Sequence, residues 1–326
     1  MESHSEQRSP VQKIRIKTEF SGMRLDRFIR AQYPILPLSA LHRLLRTGQI
    51  RVNGGRAQGG RRLFEGDEIR LPPMRIEPAA SPPPFAIPEK AILGLKDRIL
   101  YRDAHLLVLN KPCGMAVHAG SSHEWGTIDA LRLLLAREEP PIQPELIHRL
   151  DKETSGCLLF GLTPLSIRFL TQAFREGGVK KEYLTLVRGM PKKMQGTIQQ
   201  NLIKNITRSG ERMVVTGPEG DPARTEYCVL KNFNDCALLL AQLKTGRTHQ
   251  IRVHLQWLGH PVAGDRKYGD REFNQRMSVL KLNRLFLHAW KLTIPHPESG
   301  QSLQVEAPMD PILTEMLTWI EKRNSI

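Results

Sequence analysis

Leu146-Ile147-His148-Arg149-Leu150-Asp151-Lys152-Glu153-Thr154-Ser155-Gly156 runs directly into Cys157-Leu158-Leu159-Phe160-Gly161. The second half is a short apolar run closed by glycine, which reads as a buried strand. The first half sets one carboxylate, Asp151, between two apolar stretches in the loop that feeds that strand. A lone Asp in a loop most often closes a turn, so its company decides whether it does more. Downstream, Thr163-Pro164 starts a helix carrying Leu165, Phe169 and Phe174 and ended by Gly177-Gly178. Tyr183 to Val187 and Ala237 to Leu243 read as strands, and Thr248 to Leu258 as a helix stopped by Gly259. Upstream, Leu106 to Leu109 is an apolar strand ending in Asn110-Lys111-Pro112, and Trp125 to Ala136 is helical. Strands and helices do not alternate regularly. The expected class is therefore α+β, with a mixed, mainly antiparallel sheet flanked by helices and loops, and not a doubly wound fold.

Further out, residues 74–95 are rich in proline, including Pro78, Pro82, Pro83, Pro84 and Pro88. Such a stretch is a stiff extended linker. It divides a flexible lead (1–20) and a small α/β domain (21–73) from a large domain (96–326). In the small domain Leu25, Phe28 and Ile29 share one helical face, and Tyr33-Pro34 stops that helix. Ser39 is a suitable N-cap for a second helix that turns Leu41, Leu44 and Leu45 inward, with Gly48 just past its end. Ile50-Arg51-Val52 and then Asn53-Gly54 signal a strand and a hairpin.

The 326 residues carry 48 Lys or Arg against 33 Asp or Glu, a net +15. A field of that sign attracts polyanions, of which nucleic acid is the commonest. Residues 1–80 alone hold fifteen basic and eight acidic side chains, a net +7. The four cysteines form no C-x-x-C pair, so no zinc knuckle or redox dithiol is signalled. Apolar runs are too short to span a bilayer. The expectation is a cytoplasmic protein without a membrane segment, monomeric by default.

Motifs in four other places change the weight of Asp151. They are Asn110-Lys111-Pro112 with Gly114; Lys180-Lys181-Glu182-Tyr183; Thr245-Gly246-Arg247-Thr248-His249-Gln250-Ile251-Arg252-Val253-His254; and Gly259-His260-Pro261 with Gly264-Asp265. Together with His148-Arg149-Leu150-Asp151 and Thr154-Ser155-Gly156, in this order, they resemble the RluA family of pseudouridine synthases over about residues 98–310. Arg24-Leu25-Asp26, Ser39, Leu44-Leu45 and Gly48 to Gly54 resemble the S4 RNA-binding domain over about residues 22–72.

The first resemblance implies an isomerase acting on 23S ribosomal RNA, in the large subunit or its precursor. The enzyme would break the N1–C1′ bond of a uridine, turn the base and join C5 to C1′. No electrons are transferred and no group is added, so no cofactor or metal is expected. The resemblance makes Asp151 the catalytic carboxylate, Arg252 its fixed cation and Tyr183 the ring that packs on the uracil. Base–aromatic stacking is worth ~1–3 kcal/mol. A carboxylate in a water-excluded cleft is costly, and an adjacent guanidinium opposes that cost. The target base must leave its stack, and Arg149 is expected to fill the gap. Lys180, Lys181 and Arg247 are expected to contact RNA. So are Arg43, Arg46 and Arg51, through the S4 resemblance. His148, Thr154, Ser155 and His249 are expected to support the carboxylate without reacting.

Two other classes account for parts of the sequence. A pure RNA-binding or assembly factor accounts for the basic small domain but leaves the large domain without a task. A metal-dependent hydrolase would use His249, His254 and His260. Their spacing is not H-E-x-x-H, no carboxylate completes a set, and Arg252 lies among them.

Overall fold

A computed structural model describes residues 11–33, 36, 38–73, 87–119, 125–139, 142–206 and 212–324. The chain forms two compact units, Met1–Ala86 and Ile87–Ile326. The first contains β1 (Gln12–Arg15), α1 (Leu25–Gln32), α2 (Leu38–Arg46), β2 (Arg51–Val52), β3 (Gly55–Arg56) and β4 (Glu68–Leu71). Leu25, Phe28 and Ile29 of α1 and Leu41 and Leu45 of α2 are buried against Val52, Ile69 and Leu71 of the sheet β1-β4-β2-β3. Leu44 is only partly buried. Asn53 (φ 51°) and Gly54 (φ 76°) are both left-handed, the turn that matches the twist of a two-residue hairpin. α2 begins at Leu38, so Ser39 sits inside its first turn and not at its cap. The lead 1–10 and linker residues 74–86 lie outside the described residues.

The second unit begins nine residues earlier than the proline count suggests. It contains α3 (Glu89–Leu93), β5 (Ile99–Arg102), β6 (Leu106–Lys111), α4 (Thr127–Leu135), β7 (Glu145–Leu146), β8 (Ser155–Gly161), α5 (Pro164–Glu176) and β9 (Lys180–Arg188). Next come β10 (Gln195–Gln199), β11 (Leu202–Ile206), β12 (Arg212–Thr216), β13 (Arg224–Asn232), β14 (Cys236–Leu243) and α6 (Gln250–Trp257). The last elements are α7 (Arg271–Val279), β15 (Leu287–Pro295), β16 (Ser302–Glu306) and α8 (Pro311–Asn324). Ile87, Ile92 and Leu95 are buried in the core of this unit, which draws the end of the expected linker into it.

One sheet orders its strands β10-β13-β14-β9-β15-β8-β6-β5, with β16 on β15 and β7 on β8. The β15–β8 pair is parallel; the others are antiparallel. The fold is thus α+β on a mixed, mainly antiparallel sheet. Helices cover both faces, and so the central strands are apolar on both. On β8, Leu158 and Phe160 join the core with α3, α4 and α6, while Cys157 and Leu159 join the one with α5. The period of two sends alternate residues to opposite faces. α5 begins as expected, with Thr163 accepting from the Ser166 N–H, but Leu170 is its buried leucine. Leu165 and Phe169 are exposed.

The parallel pair depends on one glycine. Gly156 has φ 108°, and a Cβ there would lie 2.2 Å from the Ala289 carbonyl oxygen. Only glycine allows β15 this close beside the Asp151 loop. Among the described residues no helix is long and apolar enough to cross a membrane.

Candidate active site

Asp151 lies in the loop between β7 and β8, and three devices fix that loop. The Thr154 N–H donates to the Asp151 carbonyl at 3.1 Å, closing a turn. Lys111, fully buried at the end of β6, gives its three protons to the carbonyls of Pro112 (2.8 Å), Met115 (2.8 Å) and Lys152 (3.0 Å). Burial pushes this amine down to about 7; the three acceptors are what make an ammonium tolerable there. At the other end, the Ser155 hydroxyl donates to His288 Nδ1 (2.8 Å) and accepts from Arg284 Nη2 (2.7 Å). His288 Nε2 donates to the Ala307 carbonyl at 3.0 Å, and Arg284 is ion-paired to Asp310. Neither Lys111 nor Arg284 had a role in the sequence reading.

Arg252 projects from α6 and is buried. Its fork grips Asp265, Nε to Oδ2 at 2.7 Å and Nη2 to Oδ1 at 2.9 Å. Its remaining nitrogen, Nη1, donates to Asp151 Oδ2 at 3.3 Å. Burial works against the guanidinium charge, but Asp265 and then Asp151 outweigh it and hold the pKa above its ordinary value. Burial likewise opposes the Asp265 charge and is outweighed by Arg252 and by the N–H groups of Tyr268 and Lys267. The sequence reading paired Arg252 with Asp151 alone. Asp265 is in fact the stronger partner, because its side chain is completely buried and needs both N–H bonds of the fork. Asp151 itself keeps 24% of its side chain exposed. The expected buried charge is instead a half-open one at the wall of a cleft.

The cleft encloses about 440 Å³, within the ~300–1,000 Å³ of small-molecule pockets. Leu146, Ile147, Leu150, Leu243, Ile251 and Leu287 form its apolar lining. Tyr183 is buried on β9 between Ala241 of β14 and Ala289 of β15. Small neighbours on both sides leave room for its ring. Burial first, then the Asp151 charge, push its phenol above the ordinary value. His148 stacks on Phe174, 5.1 Å between centroids, and accepts the Leu159 N–H at Nε2. Burial, with Lys181 nearby, lowers its pKa to about 3, so it stays neutral as a structural acceptor.

Arg149, Thr154, Lys181, Arg247 and His249 also line the cleft. Arg149 is exposed and donates to the Thr248 hydroxyl at 2.9 Å. Lys181 lies over Phe174 at 5.6 Å, its pKa lowered by burial. Arg247 donates to the Pro222 carbonyl and approaches Asp221 at 3.6 Å. Lys180 is outside the lining and paired to Glu182 at 2.9 Å. Arg43, Arg46 and Arg51 are exposed in the first unit. His254 is held by Thr225 and the Gln200 carbonyl, and His260 by the Arg188 carbonyl, so the three histidines weighed as metal ligands serve different parts of the fold. Among the described residues no group of His, Cys, Asp or Glu is arranged to hold a metal ion.

The arrangement offers one carboxylate, anchored through one oxygen, at the edge of an apolar slot that admits a flat ring. Such a group can attack carbon or accept a proton.

The chain is similar to known proteins. The sequence model of the family described as RNA pseudouridylate synthase matches residues 105–257. The chain is 44% identical over 313 residues to ribosomal large subunit pseudouridine synthase C of Salmonella typhimurium, covering 94% of this chain and 96% of the relative. It is 39% identical over 315 residues to the protein of that name from Pasteurella multocida, covering 97% and 95%. Among solved structures, human RNA pseudouridylate synthase domain containing 4 superposes with a TM-score of 0.60 at 26% identity, over 71% of this chain and 95% of that one.

Proposed function

The chain belongs to the RNA pseudouridylate synthase family and is a pseudouridine synthase, an isomerase, and from that membership we propose that it converts uridines of 23S ribosomal RNA with Asp151 as the catalytic carboxylate. The substrate reading is supported by the large-subunit enzymes it resembles along almost its whole length. The residue reading rests on one observation above all. Asp151 Oδ2 is tied to Arg252, and Arg252 is itself fixed by Asp265, at the wall of the cleft that Tyr183 lines.

The uracil enters against Tyr183 and the apolar lining, and Asp151 meets the nucleoside as nucleophile or base. The base is released from C1′ with the bonding pair on N1, turns within the cleft and bonds through C5, which gives up its proton while N1 takes one from water. Arg149, exposed at the mouth, stacks where the base has left. Lys180, Lys181 and Arg247 meet phosphates, most contacts to nucleic acid being to the backbone. The first unit acts as an S4-like handle, with Arg43, Arg46 and Arg51 against structured RNA. The protein acts in the cytoplasm as a monomer and requires no cofactor.

Loss of the C5 proton gives the assay. With [5-³H]uridine-labelled 23S rRNA lacking these modifications, tritium is released to water, and mapping finds pseudouridine at discrete positions. In rRNA from cells without the protein those positions remain uridine. An unchanged map there would overturn the substrate assignment.

Tyr183 carries a separable prediction. Its raised phenol pKa keeps it protonated at neutral pH, so it can take the C5 proton only by passing its own on. Tyr183→Phe keeps the ring. RNA affinity stays within about twofold, while product formation falls ~10²-fold, the low end of general acid–base contributions. A wild-type rate in Tyr183→Phe would confine the residue to stacking.

A further inference from the structure

Tyr268, between α6 and α7, joins three parts of the site. It is buried, and the Arg252 guanidinium lies over its ring with Cζ 4.9 Å from the centroid. Its hydroxyl accepts the Val214 N–H of β12 at 2.9 Å and lies 2.8 Å from His249 Nδ1. A phenol has one proton to give, and a backbone N–H can only donate. Among the described residues, His249 Nδ1 is the one acceptor bonded to the Tyr268 oxygen. The phenol finds an acceptor for its own proton only by giving it to Nδ1, an assignment that leaves Nδ1 bare and puts the proton of the neutral imidazole on Nε2. The ring is kept neutral mainly by burial, with Arg252 and Lys267 adding to it against Asp151 and Asp265.

His249 Nε2 is the atom that faces the carboxylate, 4.0 Å from Asp151 Oδ2. Arg252 Nη1 approaches that same oxygen. Asp151 Oδ1 has no partner among the described residues. His249 also sits in the left-handed region (φ 54°), an unfavourable place for a residue with a side chain. Strain of this kind persists where surrounding contacts over-determine it. Here they are the Tyr268 hydroxyl and an edge-to-face contact with its ring at 5.4 Å.

We propose that Tyr268 is a positioning residue: by fixing His249 in the Nε2–H tautomer it turns an N–H dipole toward Asp151 Oδ2, 4.0 Å away and beside the Arg252 donor, and leaves Oδ1 as the reacting oxygen. The inference rests on the reading of Asp151 as the catalytic carboxylate. Tyr268 is buried, so its effect falls on turnover and not on RNA binding.

The test reads the tautomer directly. In ¹⁵N NMR of the full chain with labelled imidazoles, at about pH 7.5, His249 shows a protonated Nε2 and a bare Nδ1; the resonance is assigned by its loss in His249→Ala. In Tyr268→Phe the two tautomers mix, kcat falls about tenfold and KM for 23S rRNA stays within about twofold. His249→Gln, whose amide restores an N–H donor, retains more activity than His249→Ala. A proton on Nδ1 or an imidazolium in the wild type would overturn the proposal, and so would an undiminished kcat in Tyr268→Phe. Should Tyr268→Phe not fold, the wild-type tautomer and the Gln–Ala comparison decide, and equal losses in those two variants count against it. An active Asp151→Asn would remove the underlying reading instead. An inactive Asp151→Asn beside a fully active Tyr268→Phe sinks this proposal alone.

Discussion

Asp151→Asn is expected to lower product formation by ~10³-fold or more while RNA affinity stays the same or rises slightly. A factor of 10³ is about 4 kcal/mol of barrier, the amount asked of one nucleophile or base. Asn matches Asp in shape, so the turn to Thr154 and the Lys111 clamp, which use backbone carbonyls, survive. Its amide oxygen can still accept from Arg252 Nη1. What disappears is the negative charge. The same loss removes a repulsion toward phosphates, at a position still 24% exposed to water. Single-turnover tritium release and filter binding on the same 23S rRNA measure the two effects. Loss of binding in step with activity would mean that Asp151 serves structure or recognition and not chemistry.

Asp265→Asn is expected to cost ~3–5 kcal/mol of stability, the range for unpairing a buried ion, and to take most of the activity with it. Arg252 would keep its charge in a buried place while losing the carboxylate that takes two of its N–H bonds. To recover a partner it must turn toward Asp151, which draws the proposed catalytic carboxylate out of line. Chemical denaturation gives the stability change. A second variant separates the two losses: Arg252→Met with Asp265→Asn removes the unpaired charge, keeps an acceptor for the Lys267 and Tyr268 N–H groups, restores part of the stability and restores none of the turnover. Arg252→Lys fails for a related reason, since one ammonium lacks the planar fork that spans both carboxylates. Wild-type stability in Asp265→Asn would show that solvent, and not Asp265, compensates Arg252.

Local rules read much of this protein from its sequence. The unbroken apolar runs Leu106–Leu109 and Cys157–Phe160 mark buried strands, and their two faces do meet different cores. Thr163-Pro164, Gly177 and Asn53-Gly54 act as cap, terminator and turn because each depends only on its own backbone. Where burial decided the outcome, local rules went astray. The prolines of 74–95 hid a short helix whose Ile92 faces a distant core. Leu165 and Phe169, apolar as they are, point to solvent because the sheet beneath α5 receives Leu170.

The same division runs through the site. The sequence alone determined which stretch bears the carboxylate, which helix bears the guanidinium and which family the motifs resemble. Only the folded chain decided that Arg252 serves two acids, Asp265 thirteen residues away and Asp151 at a separation of 101. Only it decided that Lys111 clamps the Asp151 loop and that the Tyr268 hydroxyl meets His249 Nδ1. The reason is one of range. Propensity and periodicity act over a few residues, and hydrogen bonds between side chains far apart in the chain exist only once strand order and register have brought them within 3 or 4 Å.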